Sequence, residues 1–212
     1  MAKIAVIGAS GKAGSRILGE AKQRGHQVTA IVRDASKLAE KDTAYIEKDI
    51  FQLTTADLEG FDVVVNAFAA PIGQEEQYVE AGNVLIEALR NKPDTRLFVV
   101  GGAGSLFVDE DQSLRLMDTP EFPDFVYPTA SNAGKNLEAL QAAEGLNWTY
   151  LSPSATFALG RRTGSYISGK DHVLVNSAGD SYVSYEDYAV AVVDEIEQPK
   201  HIRERFTVAS EL

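Results

Sequence analysis

Three evenly spaced glycines form the first group of residues whose types and spacing suggest chemistry. Gly8, Gly11 and Gly14 follow an apolar run over residues 3–7 and lead into an amphipathic stretch over residues 12–24. A chain that turns tightly, lets its backbone approach a ligand and packs a helix against a strand favours residues without a Cβ. The N–H groups at such a helix start bind phosphate. The spacing predicts a turn that binds a dinucleotide pyrophosphate; a tight turn without ligand is the alternative.

The order of residues in this turn separates it from two related motifs. The spacing is Gly-x-x-Gly-x-x-Gly, not the Gly-x-Gly-x-x-Gly of ordinary dehydrogenases. A nucleoside-triphosphate loop needs four residues between its glycines and a Ser or Thr after its lysine, but here only two residues separate Gly8 from Gly11 and Ala13 follows Lys12. We therefore expect NAD(P), with further cofactor contacts from Ser10, Lys12 and Ala13.

The residues that follow the second apolar run, 27–32, bear on the choice between NADH and NADPH. An acidic residue there would bind the ribose 2′-hydroxyl and repel a 2′-phosphate. Arg33 comes first instead, and a guanidinium both pairs with phosphate and stacks on adenine. Asp34, one position later, suits the cap of a following helix. The sequence favours NADPH over NADH, with a solvated surface arginine as the alternative reading of Arg33.

Alternating strands and helices position these residues. Continuous Val, Ile and Leu runs are typical of strands covered on both faces, and their alternation with helices predicts a parallel sheet. We expect an α/β, Rossmann-type, doubly wound and mostly parallel sheet in one domain over residues 1–212, with a nucleotide-binding core at 1–151 and substrate-side elements at 152–212. The predicted strands are residues 3–7, 27–32, 43–47, 62–66, 96–100, 147–151 and 205–209, and the predicted helices are 12–24, 35–41, 74–91, 131–144 and 185–197, with irregular or short β structure over 157–183.

Composition excludes several classes of function. The 212 residues carry a formal net charge of −11, which repels a nucleic-acid backbone. With no cysteine and three widely separated histidines, we expect no metal site. No apolar stretch approaches the roughly 18 residues that span a bilayer. We therefore expect a cytoplasmic protein with a small-molecule partner, a homodimer as its assembly, and neither nucleic acid nor membrane.

Longer segments resemble a known family. Residues 8–14 (GASGKAG), 31–34 (IVRD), 47–50 (EKDI), 99–106 (VVGGAGSL), 147–157 (NWTYLSPSATF) and 184–189 (SYEDYA) resemble the atypical short-chain dehydrogenase/reductase superfamily. The branch they resemble is the NAD(P)H-binding, NADH-flavin reductase-like proteins, related to flavin/biliverdin reductases and to NmrA-like regulators. This resemblance covers nearly the whole chain and is more specific for fold and cofactor than for substrate.

The resemblance implies cofactor contacts beyond the glycine turn, all at the carboxyl ends of strands. They are Asp49 and Ile50 beside the adenine, Asn66, Ala67 and Phe68 along the path to the nicotinamide ribose, and Gly101, Gly102, Ser154, Ala155 and Phe157 in two loops that close on the nicotinamide.

One departure from the superfamily concerns the acid that protonates a carbonyl substrate. Alcohol-directed members use a Tyr-x-x-x-Lys pair, whereas Tyr127 is followed by Ser131 at that spacing and Lys135 lies eight positions on. Tyr127, Lys135 and Ser105 are the catalytic candidates, with a solvated helix lysine as the alternative for Lys135. Residues 120–128 (PEFPDFVYP) are either a lid over the substrate or a packed surface loop.

These observations predict an NAD(P)H-dependent reductase that transfers hydride to a diffusible acceptor. By resemblance that acceptor is a flavin or quinone, which binds as a substrate rather than as a prosthetic group. Because such an acceptor is already electrophilic, its reduction needs alignment more than a strong protein acid. A non-catalytic NAD(P)-sensing regulator of the NmrA-like kind is the alternative, as is a sugar-nucleotide or isomerase-type enzyme, which would require the tyrosine–lysine pair.

Overall fold

An eight-stranded sheet forms the centre of the protein. The computed structural model describes residues 1–211, and its sheet has the strand order β3-β2-β1-β4-β5-β6-β10-β8. The strands are β1 Lys3–Ile7, β2 Gln27–Val32, β3 Ala44–Glu47, β4 Val63–Asn66, β5 Arg96–Val100, β6 Asn147–Ser152, β8 Tyr166–Gly169 and β10 Glu204–Ser210. All neighbours pair in parallel except β8, which is antiparallel to β10. This order confirms the doubly wound Rossmann-type prediction.

Four helices cover the two faces of the sheet. They are α1 Lys12–Gln23, α2 Gln77–Leu89, α3 Tyr127–Ala142 and α4 Tyr185–Glu197. Alternate residues of β1 divide between two hydrophobic cores: Ile4 and Val6 pack towards α1 and α4, and Ala5 and Ile7 pack towards α2 and α3. Burial on both faces explains why the strands are continuous apolar runs.

Two predicted helices differ from the observed ones, and the prediction of irregular or short β structure over residues 157–183 is confirmed. Residues 35–41 form only a single 3₁₀ turn, Ala35–Lys37, because the chain becomes extended again at Leu38. Helix α3 begins at Tyr127, four residues before its predicted start, and Pro128 lies in its first turn. A proline is tolerated there because the first turn leaves its N–H groups unbonded anyway. Residues 157–183 include the end of β7 Thr156–Ala158, all of β8 and the start of β9 Tyr182–Ser184, and β7 and β9 pair in parallel as a separate two-stranded sheet.

Candidate functional site

The glycine turn joins β1 to α1 beside the end of β4. Gly8 has φ +73°, and a Cβ on it would lie 2.6 Å from the backbone oxygen of Ala67, which follows β4. A Cβ on Gly14 would overlap the carbonyl oxygen of Gly8. Both positions therefore require glycine for the turn and for the close packing of helix on strand.

Gly11 differs from the other two glycines because its backbone is unstrained. It caps α1 with φ −80° and ψ 174°, and a Cβ there would be 3.1 Å from the Gly8 oxygen. No side chain of residues 1–211 caps this helix. The first N–H groups of α1, those of Lys12, Ala13 and Gly14, have no intrahelical acceptor. The helix thus presents free donors and the positive end of its dipole at an open position.

A cavity of about 750 Å³ extends from this helix start across the carboxyl ends of β1, β4, β5 and β6. Its wall is mostly apolar. The lining comes from residues 11–13, 67–69, 100–104 and 153–155, together with Tyr78, Leu116, Thr119, 121–123, Tyr150, Phe157, Tyr185 and one face of α3. A volume of this size takes a ligand as large as a drug molecule or a cofactor. Because residues 121–123 and Val126 of the proline-rich segment 120–128 line the cavity, the structure favours the interpretation of this segment as a lid.

Helix α3 contributes a stripe of one face to the cavity. Its lining residues are Val126, Thr129, Ala130, Ala133 and Asn136, which recur at the three- and four-residue spacing of one helical face. The other residues of α3 do not line the cavity.

Asn136 is the polar member of this stripe. Its side chain is 4% exposed, and its Oδ1 atom has no hydrogen-bond partner within residues 1–211. It is wedged against α2, where a Cβ on Gly82 would overlap the amide oxygen. A buried amide without a partner costs free energy unless a ligand or water completes its hydrogen bonds. The orphaned oxygen faces Gly82 on α2, so the part of Asn136 that lines the cavity is the remainder of its side chain.

Tyr150 anchors the loop after β5. Its hydroxyl donates to the Ala133 oxygen and accepts from the Gly102 N–H, both at 3.1 Å. Its ring fills the space that a Cβ on Gly101 would need. Burial raises the pKa of Tyr150 to about 12. The phenol therefore stays protonated and fixes the distance between the loop and α3.

Two charged residues, Arg33 and Asp34, follow β2. The Asp34 carboxylate accepts hydrogen bonds from the hydroxyl and the N–H of Ser36, which lower the pKa of Asp34. Asp34 thus caps the turn at residues 35–37, as expected from the sequence, rather than reaching across the strand end. Arg33 is exposed beside it and forms no ion pair within residues 1–211.

Ten of the residues predicted to contact a cofactor line the cavity together. They are Gly11, Lys12, Ala13, Ala67, Phe68, Gly101, Gly102, Ser154, Ala155 and Phe157. The hydroxyl of Ser154 donates to the Val208 oxygen at 2.8 Å, which ties this loop to β10.

The other predicted cofactor residues do not line the cavity. Gly8 and Gly14 shape the turn, Ser10 is exposed in it, and Arg33 lies at the end of β2. The Asn66 Oδ1 atom accepts from the Phe68 N–H at 3.1 Å and so holds the segment after β4. The Asp49 carboxylate accepts from the Phe51 N–H at 3.0 Å, while Ile50 is buried in the core.

The catalytic candidate Ser105 does not reach the cavity. Its side chain is buried, and its Oγ accepts a hydrogen bond of 3.0 Å from Arg205. The Arg205 guanidinium also pairs with Asp171 at 2.7 Å. The hydroxyl therefore ties this loop to Arg205 of β10 and has a partner within the protein, and a role for Ser105 in binding the substrate stays a prediction.

Tyr127 and Lys135 also lie outside the cavity lining. Tyr127 is 44% exposed in the first turn of α3, and Lys135 is exposed on a different face from Asn136, its neighbour. One residue corresponds to about 100° of rotation on a helix, which explains why adjacent side chains diverge. The structure does not bring these two residues together at the cavity.

Sequence analysis overlooked Asn136, Tyr150 and Glu121. The signal for Asn136 was a polar residue on the apolar face shared by Ala130 and Ala133, since unpaired polar groups are rare inside proteins. Tyr150 resembles any other buried strand residue, and Glu121 any loop carboxylate, so neither had a distinguishing pattern.

Within residues 1–211, no helix is both long and apolar enough to cross a membrane. The same residues contain no group of three or more His, Cys, Asp or Glu side chains arranged to hold a metal ion.

The sequence of this chain is similar to those of known proteins. The chain matches a family described as NAD(P)H-binding over residues 8–199. It is 62% identical over 210 residues to the uncharacterized protein YwnB of Bacillus subtilis, covering 99% of both chains.

Solved structures share the fold from end to end. A candidate NADH-flavin reductase from Streptococcus pneumoniae is 41% identical with a TM-score of 0.93, and 100% of each chain is covered. A candidate epimerase from Bacteroides thetaiotaomicron is 38% identical with a TM-score of 0.86, covering 100% of this chain and 98% of the other. The protein therefore belongs to the NAD(P)H-binding family, within the atypical short-chain dehydrogenase/reductase superfamily.

Proposed function

We propose that the protein is an NAD(P)H-dependent reductase that transfers hydride to a flavin or quinone. The observation that carries this proposal is the continuity of one cavity. It joins the free donors at the start of α1 to a mostly apolar space under residues 119–126 and the loops after β5 and β6. A dinucleotide needs the first part and a planar acceptor needs the second.

The residues of this chain fit such a cofactor. Gly11 leaves open the space that a side chain would occupy, and the N–H groups of Lys12 and Ala13 are available for a pyrophosphate. In this proposal, the adenosine part of the cofactor contacts Ser10, Arg33 and residues 49–50. Residues 66–68 follow the path towards the nicotinamide, which residues 101–102 and 154–157 enclose.

NADPH is the preferred form in this proposal. Arg33 is exposed and has no ion-pair partner among the described residues, so it is available to a 2′-phosphate. The carboxylate of Asp34 is held by Ser36, which removes the usual acceptor for a 2′-hydroxyl. Charge-assisted pairing of arginine with phosphate is bidentate and strong.

The chain contributes alignment and mostly apolar walls to the reaction. NAD(P)H supplies the hydride when bound. The ring of Tyr150 and the tilted pair of Phe157 and Tyr185, whose centroids are 4.2 Å apart, form flat walls in the cavity. Burial raises the pKa values of Tyr78 and Tyr150, which makes these phenols weak acids. A proton therefore reaches the reduced acceptor from solvent, as alignment alone suffices for an electrophilic acceptor.

Oxidation of the cofactor tests this proposal directly. The decrease in absorbance of NADPH and of NADH is followed with riboflavin and with a naphthoquinone as acceptor, at equal enzyme concentration. We expect turnover that depends on both cofactor and acceptor, with a higher kcat/KM for NADPH. Tight binding of NADPH without turnover of either acceptor would contradict the proposal and favour a sensor.

A further inference from the structure

The charges lining the cavity are few and belong to different elements. Lys12 and Glu121 are the charged side chains among its lining residues within the described chain. Lys12 lies at the start of α1, beside the N–H groups assigned above to the pyrophosphate. In the rest of the cavity lining, the charged side chain is the carboxylate of Glu121.

Glu121 has no cation beside it. It is exposed in the segment between β5 and α3 and forms no ion pair within residues 1–211. Asp118 and Asp124 flank it in sequence, and the one arginine nearby, Arg115, is already paired with Asp118 at 2.7 Å. The carboxylate of Glu121 is therefore not neutralised by an ion pair among the described residues.

The rest of this wall is apolar or neutral. Leu116, Phe122, Pro123 and Val126 line the same part of the chain as Glu121, and Thr129 follows on α3. No arginine of residues 1–211 lines the cavity to form the bidentate pairs that bind phosphate. A planar ring fits this wall, whereas a phosphate group would meet a carboxylate.

We infer that the acceptor is an uncharged planar ring compound and that Glu121 selects against acceptors bearing phosphate or sulfonate. This inference rests on the proposed function, because it names the class of acceptor for the same cavity. A phosphate monoester carries about −1.5 to −2 charges at pH 7. Close like charges in a partly desolvated site oppose binding, and the expected discrimination per exposed carboxylate is about three- to tenfold.

Two pairs of acceptors that differ by a single anionic group test the inference. Riboflavin is compared with FMN, and 1,4-naphthoquinone with its 2-sulfonate, by kcat/KM at fixed NADPH. Binding of the two flavins in the presence of NADP⁺ is measured separately by quenching of flavin fluorescence. The variants are Glu121→Gln and Glu121→Lys, with Glu110→Gln as a matched control, because Glu110 is exposed and does not line the cavity.

We expect the wild-type protein to prefer the uncharged member of each pair. Glu121→Gln should raise kcat/KM for FMN and the sulfonate about three- to tenfold, Glu121→Lys should raise it further, and values for the uncharged members should stay constant. Glu110→Gln should change none of them.

Each remaining outcome is decisive. Equal use of both members of a pair, equal effects of the Glu121 variants on both members, or absence of binding for both flavins would overturn the inference. If turnover is absent while fluorescence still shows tighter binding of riboflavin than of FMN, and Glu121→Lys removes that difference, the proposed reaction fails and the preference of the cavity for uncharged rings stands.

Discussion

Replacing Gly11 with valine tests whether the start of α1 binds the pyrophosphate of the cofactor. The position suits the test because its backbone, at φ −80° and ψ 174°, is accessible to valine. A Cβ at Gly11 would lie 3.1 Å from the Gly8 oxygen, so the turn must adjust by a few tenths of an ångström. Gly8 and Gly14 are unsuitable because a side chain on either would collide with backbone.

The structure sets the expected magnitude. The valine side chain occupies the open space in front of the free N–H groups of Lys12 and Ala13. A hydrogen bond to a charged group contributes about 1.5–3 kcal/mol, so losing two of them weakens NADPH binding by about 3–6 kcal/mol, or about 10²- to 10⁴-fold. Folding should lose only about 1 kcal/mol, because valine is a poorer helix N-cap than glycine.

Calorimetric titration with NADPH and thermal unfolding without it measure the two quantities independently. Gly19→Val is the matched control, since Gly19 lies in the same helix and a Cβ there has no atom within 4 Å among the described residues. It should bind NADPH with wild-type affinity. If Gly11→Val lowers the melting temperature sharply, Gly11→Ala replaces it as the smaller perturbation.

An affinity for NADPH within about threefold of wild type in a folded Gly11→Val protein would refute the reasoning, since that factor corresponds to well under one charged hydrogen bond. The pyrophosphate would then bind elsewhere in the cavity. Equal weakening by Gly11→Val and Gly19→Val would likewise show that the effect comes from the helix as a whole.

Three further predictions concern cofactor choice, chemistry and the orphaned amide. Arg33→Ala should weaken NADPH binding about ten- to hundredfold and leave NADH binding unchanged, as measured by calorimetry, because only NADPH carries the 2′-phosphate; equal weakening of both would assign Arg33 to adenine stacking. Tyr127→Phe should lower turnover less than about threefold at saturating NADPH, because Tyr127 does not line the cavity, whereas a loss of about a hundredfold would make it a general acid and the substrate a carbonyl compound. Asn136→Ala should raise the Kd for NADPH or the KM for the acceptor about three- to tenfold, with little change in melting temperature. Leu137 is a neighbouring core residue, and Leu137→Ala should lower the free energy of unfolding by about 2–5 kcal/mol with both ligand constants unchanged. The reverse pattern would place Asn136 in the structural core.

Much of the fold follows from local properties of the sequence. Uninterrupted valine runs such as residues 63–65 indicate strands buried on both faces, because only full burial makes every position apolar. The three glycines indicate the turn, because a missing Cβ is a local requirement that sequence displays directly. The capping role of Asp34 is equally local, since its partner Ser36 is two residues away.

Helix α3 marks a limit of such reasoning. Proline and aromatic residues around Pro128 favoured a loop, but a proline in the first turn of a helix costs little. Which residues of α3 face the cavity depends on how the helix packs against α2 and the loop after β5. A rotation of one position exchanges Lys135 for Asn136 at the wall.

The remaining features depend on partners distant in sequence. Ser105 follows β5 as a substrate-binding hydroxyl would, yet Arg205, a hundred residues later, holds it inside the protein. Tyr150 acquires its role from Gly102 and Ala133. Sequence alone thus determined the strands, the turn and the class of cofactor, because strand burial and backbone geometry act over a few residues. Only the tertiary structure decided which side chains line the cavity, because that depends on the packing of helices and loops from separate parts of the chain.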